Sequence, residues 1–109
     1  MEAARKIGLE LPSEYKQHDE WYELDRQPAQ AAPPEHQLTV LARVNEATYE
    51  GGTMGDDHPM IWYQYFGPRR VPVFSTLLGH FAEHYDLDST RRILTAGLKF
   101  ILGQTPAPG

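Results

Sequence analysis

The 109-residue sequence predicts an α/β domain: a small mixed or antiparallel sheet followed by a C-terminal helix. Three stretches carry that expectation. Leu38 to Val44 alternates, with Leu38, Val40, Ala42 and Val44 on one face and Thr39, Leu41 and Arg43 on the other, the period of a strand. Met60 to Phe66 and Val71 to Thr76 are two apolar, aromatic or β-branched runs separated only by Gly67-Pro68-Arg69-Arg70, which is turn chemistry, so they predict an antiparallel hairpin. From Thr90 to Leu102, the residues Ile93, Leu94, Gly97, Leu98, Ile101 and Leu102 form an apolar stripe opposite Arg92, Thr95 and Lys99, the pattern of an amphipathic helix.

Taken in order, residues 1–18 read as a polar, irregular lead-in, with 1–10 expected to be disordered. Asp19-Glu20-Trp21-Tyr22-Glu23-Leu24 reads as a short strand. Residues 26–36 read as a surface loop, because Pro28 and the Pro33-Pro34 pair interrupt regular structure. The loop from Asn45 to Pro59 holds Gly51-Gly52 and Gly55, then Asp56-Asp57-His58. No Gly-Lys-Ser/Thr follows those glycines, and the loop's own carboxylates repel phosphate, so it is no phosphate cradle. Pro72 lacks an N–H and points to an edge strand, a strand start or a bulge. Gly79 lets the chain turn, so His80 emerges by the carboxyl end of the returning strand, the edge where open α/β sheets bind ligands. Phe81 to Tyr85 can form a helical turn, and Asp86 to Thr90 offer caps for the helix. Gly103 stops it, and 104–109 reads as a disordered tail.

Composition narrows the function. One domain fits this length. A net charge of −5 and a pI near 5.4 argue against nucleic acid and anionic membranes as partners. The chain has no cysteine, which removes disulfides, thiolate metal sites and cysteine nucleophiles. No apolar run is long enough to span a bilayer, and no secretory leader is legible at the N-terminus, so a cytoplasmic location is expected.

Each chemical candidate has a plainer alternative. His80-Phe81-Ala82-Glu83-His84 fits His-x-x-Glu-His, which in zinc hydrolases sets two histidines on one helix face with the glutamate as base. Five residues match easily by chance in a chain with five histidines, and the favoured reading is a site or capping residue at position 80 with a surface His84. No metal is assigned. His58 follows Asp57, a pair able to orient an imidazole for proton transfer; a loop histidine beside a local turn is the plainer role. Asp19-Glu20 either supplies a carboxylate to a sugar hydroxyl or stands as two solvated acids. Arg69 and Arg70 read as solvation at a hairpin tip. Trp21, Trp62 and Tyr63 can stack on sugar rings, but core packing is their more frequent role.

Asp19-Glu20-Trp21-Tyr22, Gly51-Gly52-Thr53-Met54-Gly55-Asp56-Asp57-His58-Pro59, Trp62 and Leu78-Gly79-His80, in that order and spacing, resemble the ThuA-like (trehalose utilisation) family over roughly residues 11–103. The resemblance implies the C-terminal part of a flavodoxin-like, class I glutamine amidotransferase-like domain, hence one partial domain over 1–109. It implies a role in using trehalose or related carbohydrates, with reaction and cofactor unassigned. It also implies that Glu20, His58 and His80 face a common pocket and bind the ligand. A non-catalytic remnant, or an interaction module pairing with a second copy or a partner chain through an exposed sheet face, is the alternative. A zinc-dependent hydrolase is a third.

Overall fold

The computed structural model describes residues 2–103. The chain divides into two compact units, Trp21–Leu77 and the discontinuous Met1–Glu20 with Leu78–Gly109.

The Trp21–Leu77 unit holds the sheet. Its strands are β1 (Thr39–Arg43), β2 (Pro59–Phe66) and β3 (Val71–Thr76), all antiparallel in the order β1-β2-β3. β2 is central, and Pro59, Met60, Ile61 and Trp62 are buried in succession, as a strand covered on both faces requires. The β2–β3 hairpin runs in unbroken register from Ile61↔Thr76 to Phe66↔Val71. Pro72 sits on the edge strand, where its missing N–H costs no ladder bond. β1 departs from the simple alternation. The register shifts between Val40 and Ala42, and Leu41 is the buried residue while its neighbours are half-covered. A bulge inserts one residue and breaks the period of two, so the sequence pattern assigns the wrong face.

Three other segments of this unit differ from expectation. Residues 21–24 form no strand. The loop of residues 26–36 contains helix α1 (Pro28–Ala31) and a 3-10 turn, Pro34–His36; each begins at a proline, the position where a missing N–H is harmless. Arg70 is no free hairpin tip. Its guanidinium donates to Gln37 Oε1 at 2.7 Å and to the Glu35 carbonyl at 3.3 Å, and lies 4.5 Å over the Tyr65 ring.

The other unit begins with a five-residue helix, Glu2–Lys6, where an irregular lead-in was expected. Gly8 ends it at φ +78°, and the Leu9 N–H closes back on the Ala4 carbonyl. Ala4, Ile7 and Leu9 are buried, so this segment belongs to the core. The unit's main element, which we term α2, is the helix Asp88–Ile101, preceded by a 3-10 turn at Ala82–Asp86. Its buried face is Thr90, Ile93, Ala96, Gly97 and Phe100. Leu94, Leu98, Ile101 and Leu102, four of the six residues in the expected apolar stripe, are 41 to 66% exposed. The apolar arc is wider than the covered arc, and periodicity alone cannot say which part is covered. Residues 104–109, read as a tail, lie outside the described residues. Among the described residues, no helix is long and apolar enough to cross a membrane.

Candidate functional site

The unit containing α2 brings Glu20 and His80 together. His80 Nδ1 lies 2.8 Å from Glu20 Oε2, with the two side chains 39% and 53% exposed. An imidazole against a carboxylate, both open to solvent, can accept and donate hydrogen bonds to a polyol and can pass a proton.

What holds the pair is Asp19, a buried carboxylate. Its Oδ2 accepts from the Gly79 N–H at 2.9 Å and the Gln17 amide at 2.7 Å. Its Oδ1 accepts from the Glu20 N–H at 2.9 Å and the His80 N–H at 3.1 Å. Burial pushes the Asp19 carboxyl up, but these four donors outweigh it and hold the group below its ordinary value. Residues 19 and 20 are therefore tied through side-chain bonds rather than a ladder, which explains the absence of a strand there.

Gly79 makes the turn into the site. Its φ is +102°, and a Cβ there would fall 2.8 Å from the Tyr85 hydroxyl, which donates to the Gly79 carbonyl. His84 sits beneath. Its Nε2 donates to the His18 carbonyl at 2.5 Å, and its Nδ1 accepts from the Phe81 N–H at 3.3 Å and stands 3.6 Å from Asp19. These partners fix one tautomer. His18 and His84 both pack on the Phe81 ring, at 5.2 and 5.3 Å. His84 is thus buried, not a surface residue, and both its ring nitrogens serve the backbone. His80 precedes the 3-10 turn, so the two histidines do not share the helix face that the zinc-hydrolase motif demands. Among the described residues no cluster of three ligating side chains is placed to hold a metal ion.

His58 belongs to the other unit and is fully buried. Its Nε2 lies 2.8 Å from the Tyr22 carbonyl, and its Nδ1 lies 2.7 Å from Glu46 Oε2 and 3.1 Å from the Tyr49 hydroxyl. Glu46 also accepts from the Met54 and Gly55 N–H groups at 2.9 and 2.8 Å. Burial raises the Glu46 carboxyl; those two N–H groups and the imidazole together bring it below its ordinary value. Gly52 makes room, since a Cβ there would lie 2.5 Å from Glu46 Cδ. The glycine loop is thus wrapped around a carboxylate. Asp57, the expected orienter of His58, instead accepts from Arg43 Nε at 2.8 Å.

Each unit has a concavity among its described residues. One of about 580 Å³ is lined by Leu24, Asp25, Arg26, Gln27, Gln30, Ala31, Thr53 and Met54. One of about 280 Å³ runs beside α2, where Arg91 and Arg92 already pair with Asp86 and Asp88. Neither is lined by Glu20, His58 or His80.

The family model described as ThuA, trehalose utilisation, matches residues 2–101. This chain belongs to the ThuA family. No curated protein and no solved structure matches it. The ThuA match spans both units, including the Asp19-Glu20 and Gly79-His80 segments that form the pair. Sequence reasoning missed Asp19 as the anchor, and Glu46 altogether. Asp19 looks like any solvated acid beside Glu20. The only signal for Glu46 was the density of glycines at 51, 52 and 55, which leaves backbone N–H groups free to converge on an anion.

Proposed function

We propose that this ThuA protein acts in the utilisation of trehalose or a related carbohydrate, and that Glu20 and His80 contact the sugar. The observation that carries the proposal is the 2.8 Å Glu20–His80 pair, open to solvent on a buried support. A carboxylate accepts from adjacent hydroxyls, and an imidazole beside it donates or accepts as needed, a combination suited to a polyol. His58 has the part of a support in its own unit: both ring nitrogens are engaged and no surface of it is open. The family match supports reading the sheet as the C-terminal part of a flavodoxin-like, amidotransferase-like domain.

Calorimetric titration with trehalose and a panel of related di- and monosaccharides tests this. Hydrogen bonds to charged groups contribute about 1.5–3 kcal/mol, so Glu20→Gln and His80→Ala should each weaken binding by roughly 10- to 100-fold. Equal affinity in both variants, or no heat with any sugar, removes the proposal.

The exposed edge of α2 favours a second reading, an interaction module whose partner is a second copy of this chain. A self-complementary apolar strip laid against itself about a two-fold axis covers both copies at once. Sedimentation at micromolar concentration should then show a dimer that Leu98→Lys dissociates. A monomer in both proteins ends that reading.

A further inference from the structure

We infer that Asp19 is the positioning residue of the Glu20–His80 pair, setting both partners through a single carboxylate oxygen. This rests on the functional reading of that pair given above, and goes beyond it by naming what aims the pair.

The geometry is specific. The two residues whose side chains meet at 2.8 Å also send their backbone N–H groups to one atom, Asp19 Oδ1, at 2.9 and 3.1 Å. The second oxygen takes Gly79 and Gln17. A carboxylate has about four acceptor sites, and all four are used. Positions 20 and 80 are 60 residues apart in the chain, and each side chain has several rotatable bonds. Pinning both backbones to one oxygen removes most of that freedom and leaves side-chain rotamers as the remaining variable. Gly79 contributes by its φ of +102°, which turns its own N–H and that of His80 toward the same carboxylate. His84 supports the arrangement without competing. It bonds the backbone at His18 and Phe81, and its Nδ1 stands 3.6 Å from Asp19, beyond hydrogen-bond distance.

Asparagine is the discriminating substitution. It keeps the size but replaces one two-bond acceptor with an NH₂ group, which faces two donors and repels them. Other titratable groups near the pair are His18 and His84 on Phe81, Tyr85 on Gly79, and Tyr15, whose phenol is raised by burial and by the Asp19 charge. Any of these can alter a simple pH profile, so a signature of the pair itself is the better readout.

The experiment is NMR on the full chain without ligand. The His80 Nδ1–H bonded to Glu20 should give a downfield proton resonance, assigned by its loss in His80→Ala and in Glu20→Gln. In Asp19→Asn that resonance should vanish while the His84 Nε2–H signal persists. In Gln17→Ala, which removes one Oδ2 donor and neither Oδ1 bond, it should remain. A folded Asp19→Asn protein that keeps the His80 resonance overturns the inference and leaves Asp19 merely structural. If that variant does not fold, the wild type still decides. The amide shifts of Glu20, Gly79 and His80 should titrate together with the Asp19 carboxyl carbon, below the usual carboxylate range. Independent midpoints overturn the inference equally. Neither measurement involves sugar, so failure of the calorimetry above would remove the functional reading and leave this result standing.

Discussion

The molecule contains the same chemical pair twice, and the two copies behave differently. His80–Glu20 and His58–Glu46 are each an imidazole Nδ1 against a glutamate oxygen, at 2.8 and 2.7 Å. The first is 39% and 53% exposed; the second is 0% and 12% exposed. Water screens the first and competes for its hydrogen bonds, so it contributes little to stability and stays available to a ligand. The second has no water to fall back on. Its glutamate gathers two backbone N–H groups and its imidazole a carbonyl, so removing a member unpairs several groups at once. Burial, rather than residue identity, separates a candidate site from a structural clamp.

The largest expected effect is at the buried pair. His58→Ala should lower unfolding free energy by about 2–5 kcal/mol, because it empties a fully buried position and leaves the Tyr22 carbonyl and a Glu46 oxygen without their imidazole partner. A urea midpoint close to wild type would mean that the buried pair clamps no more than the exposed one.

Acid unfolding sharpens the contrast at intermediate size. Asp19 and Glu46 both have carboxyls held below their ordinary values of 3.8 and 4.5 in the folded state. A depressed folded value means the contribution is complete above the unfolded value and is lost as pH falls through the folded one. Stability should therefore decline once pH passes below those ordinary values. The decline should be shallower in Glu46→Gln and in Asp19→Asn than in the wild type. A series of urea titrations between pH 6 and pH 2 measures it. A decline as steep in both variants as in the wild type would mean that neither carboxylate clamps the fold.

The smallest effect belongs to the exposed pair. Glu20→Gln and His80→Ala should each change stability by at most about 1 kcal/mol at neutral pH, the usual worth of a surface pair. A thermal melt detecting a larger loss would move this pair into the structural class.

Legibility in the sequence followed the same division between local pattern and buried polarity. The β2–β3 hairpin could be read directly, because Gly67-Pro68 and the flanking apolar runs are local signals. The extent of α2 was also close to expectation, Asp88–Ile101 against Thr90–Leu102, because its apolar period is long. Its covered side was not readable, since Leu94 and Leu98 satisfy the period as well as Ile93 and Phe100 do. The Leu41 bulge defeated strict alternation for a related reason: one inserted residue leaves no mark in composition. Of the candidate site, Glu20, His58 and His80 were named; the structure pairs Glu20 with His80 and buries His58. Asp19 was read only as a sugar ligand or a solvated acid, and Glu46 was not named, because a carboxylate that collects backbone N–H groups from distant segments is decided by tertiary geometry. Its sequence neighbours carry no trace of those donors.

The uncovered edge of α2 has a practical consequence. Leu94, Leu98 and Ile101 on the helix, with Leu87 and Leu102 flanking its two ends, present aliphatic side chains to solvent. Fluorescent probes that brighten on greasy surfaces will find a landing strip on the native protein. Melting curves followed with such dyes will begin bright and understate the transition, so circular dichroism is the sounder way to follow it.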